Sequence, residues 1–269
     1  EEVHGCVNCG EGRSEEPLPG SILPEFIPDY RLDTVAPAPE PVKVRAETRT
    51  ARLQFLRDSY KILPDLKNNR AELDTVSHSI LLVKNNPDVT ITGIYITGYA
   101  SPEGTVDHNL KLSENRALAL GDYIRRQDRI DPELLHVAWK GEDWEGLRAA
   151  LDRFPGLLKR DEVLRVIDEC TGDRDACEKK LQQIEPPTIY QRLLNEVYPL
   201  LRRNEYRIVY NVRNFNIEEA RRMVDERPDL LSLTEMYKVA ASYEKGSADY
   251  DKVMRTAARL YPDSPAVVN

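Results

Sequence analysis

The sequence predicts an α/β protein, helices around one β-sheet, and two observations point to it. Between residues 45 and 213, short runs rich in β-branched and aromatic residues alternate with longer runs of helical period. Apolar residues make up 41% of the 269-residue chain, enough to fill a buried core for one large domain or two ordinary ones. Charged residues make up 31% with a net charge of −8, so a protein that coats phosphate backbones is not expected. No apolar run approaches the roughly 20 residues that cross a bilayer, so no membrane insertion by this segment is expected. The chain lacks an initiator Met and a signal-peptide pattern, and reads as a mature or excised fragment.

Residues 1–45 hold seven of the eighteen prolines and no helical period. Pro-Ala-Pro-Glu-Pro at 37–41 favours stiff, extended polyproline II backbone, so this stretch reads as a Pro-rich arm or linker. Alternation in the run Thr-Ala-Arg-Leu-Gln-Phe-Leu, ending at Leu56, predicts a first strand. Leu73, Val76, Ile80 and Val83 recur at helical spacing, with Asn69 expected at the N-cap and Glu72 three positions later. Asn85-Asn86-Pro87-Asp88 breaks that helix, and 89–99 predicts a buried strand with Gly93 at a bulge. A second amphipathic helix is expected over 107–126, a third strand over 133–139 and a fourth from Tyr206 to Arg213.

The stretch 144–201 is longer than a crossover needs and reads as an insertion of helices over 144–153, 159–169, 173–183 and 188–201. After Phe215 helices are expected over 216–226, 232–243 and 248–260, and the Ala/Tyr/Pro usage of the last two suits a tetratricopeptide-like tail. The domain boundaries are thus an arm at 1–45, a sheet domain at 46–215 and a helical tail at 216–269.

The four cysteines form two close pairs, Cys6/Cys9 and Cys170/Cys177. Local disulfides fit both pairs; free buried thiols, or metal or redox chemistry, are the other readings. No metal site or cofactor is expected, because no two histidines stand at ligand spacing on a helix. His108 borders the loop–helix junction and reads as a surface residue, while His136 reads as a packing residue in a strand. Trp139 and Trp144 read as core anchors. Ser101 and Ser113 lack a nucleophile elbow and there is no phosphate-binding or dinucleotide loop, so no enzyme is expected.

The segment 96–117 is the most informative. A strand ends in a Gly/Ser/Pro/Gly turn that feeds a helix on which Asn109, Ser113 and Arg116 share one face, with Leu110, Ala117 and Ile124 facing elsewhere, toward the sheet. An amide, a hydroxyl, a guanidinium and a helix N-terminus beside one loop can bind a carboxylate. The plainer reading is a capped helix whose Arg pins its own loop.

Gly98-Tyr99-Ala100-Ser101, then Gly104, then Asn109-x-x-Leu112-Ser113-x-x-Arg116-Ala117 resembles the signature of the OmpA-like peptidoglycan-binding domain. Gly141-Glu142 and Leu201-Arg202-Arg203-Asn204-Glu205 are similar to two further family segments, and the resemblance spans about 48–213. The Ser-Pro-Glu-Gly loop, the long insertion and the tail resemble envelope proteins of the Bacteroidota type. The resemblance implies a mixed β-sheet packed by helices, in an exported protein of the periplasm or outer-membrane-associated envelope. It also implies a cleft for the diaminopimelate-containing stem peptide of peptidoglycan. In the family a loop Asp and the helix Arg clamp the amine and carboxylate of that residue. The Arg corresponds to Arg116, but the Asp position is Ser101, which carries no charge; Glu103 and Asp107 are the nearby acids. The ligand-binding residues expected are therefore Arg116, Asn109, Ser101, Glu103, Ser113 and Arg203. The competing expectation is an envelope scaffold that kept the fold and binds protein partners instead.

Overall fold

The computed structural model describes residues 2–4, 12–14, 36–56 and 59–268. Most of the Pro-rich arm, and Cys6 and Cys9 with it, lies outside the described residues. Within the arm, β1 (Glu2–His4) and β2 (Gly12–Ser14) pair antiparallel, a feature the proline content did not suggest.

Four strands form the central sheet: β3 (Lys43–Ala51), β4 (Val89–Ala100), β5 (Leu135–Glu142) and β6 (Asn204–Val212). Their order is β3-β6-β4-β5, with β6 antiparallel to both neighbours and β4 parallel to β5. The sheet is therefore mixed. Between β3 and β4 lies α1 (Asn69–Lys84), and α2 (Val106–Gln127) makes the crossover that a parallel β4–β5 pair requires. The register of β4 against β6 slips between Ile91 and Gly93, at the expected bulge.

The first strand begins at Lys43, earlier than alternation alone suggested, because Lys43 through Ala51 all find partners on β6. Leu53 to Phe55 then leave the sheet. Asn69 is not the N-cap of α1; Asn68 is, without a side-chain bond. The Asn69 side chain is captured by the passing segment instead, donating to the carbonyls of Gln54 (2.8 Å) and Leu63 (2.9 Å) and accepting from the Gln54 amide (2.7 Å).

Between β5 and β6 run α3 (Trp144–Asp152), α4 (Arg160–Asp168), α5 (Arg174–Gln182), α6 (Thr188–Arg192) and α7 (Tyr198–Leu201). A π-helical turn, Leu193–Val197, joins the last two where one helix was expected. Pro199, at the start of α7, has no amide hydrogen to continue a regular ladder. Trp144, Leu147, Leu151, Val163, Leu181 and Tyr198 give this insert its own hydrophobic cluster. Cys170 and Cys177 form a disulfide between the end of α4 and α5.

After β6 come α8 (Ile217–Glu226), α9 (Leu233–Ala240), α10 (Ala248–Leu260) and α11 (Pro265–Val268). Ala220, Met236, Val239 and Ala257 share one buried cluster with Ile94, Ile96, Ile208 and Leu120 of the sheet and α2. The tail thus packs into the main core. Lys43, fully buried, donates to both carboxylate oxygens of Glu235 (2.9 and 3.1 Å) and ties β3 to α9.

Two tryptophan and histidine expectations part company with the structure. Trp144 is buried, but Trp139 is 40% exposed, and His136 is an exposed residue stacked on Tyr95 with ring centroids 4.6 Å apart. Both sit on β5, an edge strand of the sheet, three residues apart and so on opposite faces. No helix among the described residues is long and apolar enough to cross a membrane.

Candidate functional site

At the C-terminal end of β4 the chain turns through 101–105 into α2. Gly98 allows the helix to lie this close: a Cβ there would stand 2.3 Å from the Ser113 carbonyl oxygen. Gly104, at φ +101°, gives the loop a backbone conformation that favours glycine. Thr105 caps α2, its side chain accepting from the His108 amide.

A cleft of about 720 Å³ opens above this loop. Leu53, Gln54 and Phe55 form one wall, Ser101 to Thr105 the floor, and Asn109, Leu112 and Arg116 the helix side; Arg202 and His108 close the rim. Arg116 is 7% exposed, with its guanidinium 4.8 Å from the Phe55 ring centroid, a cation over an aromatic face.

The expected helix face is real, but it is the buried one. Asn109, Ser113, Arg116, Ala117, Leu120 and Ile124 are all buried along α2, whereas Leu110, expected toward the sheet, is 43% exposed. Asn109 donates to the Glu103 carbonyl (2.9 Å) and to Glu142 (2.8 Å). Ser113 donates to the Leu110 carbonyl (2.8 Å) and accepts from the Gly141 amide (3.0 Å). These two polar side chains brace the loop and the end of β5. Burial pushes the Glu142 carboxyl above its ordinary range, opposed by the bonds from Asn109 and Trp144.

Ser101 is buried and accepts from Arg202 Nε at 3.1 Å. Arg202 Nη2 also donates to both oxygens of Glu103, at 2.5 and 2.7 Å. Serine, acid and guanidinium thus form one bonded group across the cleft floor. Arg203, the member of the pair expected at the cleft, lies outside it. It is bonded to Asp143 and, at 3.0 Å, to Glu205, and its guanidinium lies 4.2 Å from the Tyr99 ring centroid. Both arginines lie in the short link before β6, and of the two only Arg202 lines the cleft. Asp107 is exposed in the first turn of α2 and is not among the cleft residues.

Three cleft features were not assigned from sequence. Arg202 was visible as half of an Arg-Arg pair, without a signal for which half faces in. The wall at 53–55 was read as strand. The third is the insert's hold on the loop: Asp175 accepts from the Val106 amide (2.9 Å), and the Gly104 amide favours the charged form of Glu178.

Fold and site define a mixed α/β protein whose strand-end cleft presents two guanidinium groups and one ion-paired carboxylate. No family model matches the chain. A 49-residue stretch is 43% identical to outer membrane protein 41 of Porphyromonas gingivalis; it covers 18% of this chain and 12% of that protein's length. Among solved structures, the OmpA-like domain of FopA1 from Francisella tularensis is similar at 16% identity and a TM-score of 0.33. That match covers 64% of this chain and 78% of the other.

Proposed function

We propose that this chain is a non-enzymatic cell-envelope protein of the OmpA-like class that anchors non-covalently to peptidoglycan. Its site is the cleft over residues 101–105, taking a carboxylate of the diaminopimelate-containing stem peptide. The observation that carries this reading is Arg116, a guanidinium in the wall of a cleft large enough for a peptide end. Glu103 on the cleft floor is matched by Arg202. The sequence match to an outer membrane protein supports an envelope location; the periplasmic side is part of the proposal.

The same ion pair favours a second reading. Where the family places an Asp for the ligand's amine, this chain has Ser101 bonded to Arg202, and its nearest acid is spent on the same guanidinium. An envelope scaffold that kept the fold and binds protein partners would have no use for an amine site.

Co-sedimentation with purified peptidoglycan sacculi separates the two. The anchoring reading expects binding by the wild type, weakened roughly 30-fold by Arg116→Ala, the loss of one charge-assisted contact of about 2 kcal/mol. No wild-type binding, gained only with Ser101→Asp, assigns the cleft to the scaffold reading.

A further inference from the structure

The insert between β5 and β6 has its own hydrophobic core, yet two of its side chains reach out of it to the cleft loop. Asp175, in the first turn of α5, accepts from the Val106 amide at 2.9 Å. One turn along is Glu178, a buried carboxyl whose charged form the Gly104 amide favours. Both amides precede or open α2, where backbone donors are left without partners inside the helix.

Glu178 is 4% exposed and is itself held: Tyr190 of α6 donates to it at 2.6 Å, and Gln182 donates to the Tyr190 hydroxyl at 3.3 Å. Cys177 lies between Asp175 and Glu178, and its disulfide to Cys170 anchors that stretch of α5 to the end of α4. On the opposite side of the loop Asn109 holds the Glu103 carbonyl. The loop is clamped between α2 and the insert.

We infer that α5 of the insert is a positioning element for the cleft, with Glu178 and Asp175 as positioning residues that fix the 103–106 backbone. Their effect is to set where Glu103 and the first amides of α2 stand relative to a ligand against Arg116. A loop held in its binding geometry spares the ordering cost that a free loop meets on binding. Glu178 is not among the residues that line the cleft. The inference concerns the loop whatever fills the cleft; only its effect on affinity rests on the peptidoglycan reading.

The test is amide hydrogen exchange on the whole chain, comparing wild type with Glu178→Ala, Glu178→Gln, Asp175→Asn and Val163→Ala. Val163 is fully buried in the insert core and far from the loop in sequence, so its variant loosens the insert generally. The inference expects Glu178→Ala to speed exchange at Gly104 and Val106 at least tenfold, with Ile208 in the sheet unchanged. Glu178→Gln keeps one acceptor oxygen and is expected to restore most of the protection, and Asp175→Asn to affect Val106 more than Gly104. Unchanged exchange at both amides in Glu178→Ala overturns it. So does an equal rise in Val163→Ala, which would make the loop a mere passenger of insert stability. Sacculi co-sedimentation of the same variants adds the ligand arm: about tenfold weaker binding in Glu178→Ala, partly rescued in Glu178→Gln, is expected. Absent wild-type binding would remove the peptidoglycan reading and leave the exchange result to decide the positioning role.

Discussion

At the scale of the residue, the same polar types serve two ends on α2. Asn109, Ser113 and Arg116 recur at intervals of four and three, so the sequence places them on one face without naming their partners. Asn109 and Ser113 complete hydrogen bonds within the fold, to Glu142 and Gly141, about thirty positions away. That distance is why the pattern reads equally well as a ligand site. Arg116 alone of the three brings a charged group to the cleft wall. Another residue whose role becomes clear only in three dimensions is Glu219. It closes a capping box with Asn216 and accepts from both terminal nitrogens of Arg213. Those bonds hold its carboxyl down to about 2. A depressed carboxylate stabilises the fold at neutral pH and loses that contribution as pH falls through the folded value. The thermal midpoint of wild type is therefore expected to exceed that of Glu219→Gln at about pH 6, with the gap closing between about pH 5 and about pH 2. A gap constant across that range contradicts the assignment.

At the scale of the element, strands and helices were legible because hydrophobic period survives the loss of context. β4, α2 and the helices of the insert and tail fall where the period places them, within a few residues. The failures have local causes: β3 starts early because its partner strand extends to Val212, and Pro199 breaks the last insert helix. The cysteine pair at 170 and 177 left three readings open, since spacing alone does not distinguish a disulfide from two thiols. The bond joins residues seven apart, and closing so short a loop stabilises by about 2.5 kcal/mol through chain entropy. Replacing both cysteines by alanine is expected to speed exchange of α4 and α5 amides roughly 70-fold while leaving β6 protected. Loss of protection in β6 to the same degree would show that the insert does not open separately.

At the scale of the whole molecule, the sequence suggests three consecutive pieces and the packing joins them differently. The tail helices lie in the same buried cluster as the sheet, while the insert has a cluster of its own. Nothing in local period reveals this, because an amphipathic helix shows that it buries a face and not what it buries it against. Lys43 and Glu235 are the polar expression of the joint. Burial lowers the Lys43 ammonium below its ordinary range against the pull of Glu235. Burial also works to raise the Glu235 carboxyl, but the amides of Ser232 and Phe215, with Lys43, hold it below the usual carboxylate range. Removing one partner strands the other charge inside the protein. Lys43→Ala is expected to cost about 3 kcal/mol in urea unfolding, with sheet and tail still melting in one transition. A cost under about 1 kcal/mol would mean that water reaches Glu235 and that the tail is held loosely.

Under the proposed function, the cleft beside Arg116 receives a carboxylate-bearing peptide of the cell wall. An amide chemical-shift titration with a soluble diaminopimelate-containing stem peptide tests it most directly. Saturable shifts concentrated at 101–109 and at the Arg116 side chain are expected, abolished in Arg116→Ala. Shifts elsewhere on the surface, or shifts at the cleft that Arg116→Ala leaves intact, would contradict it.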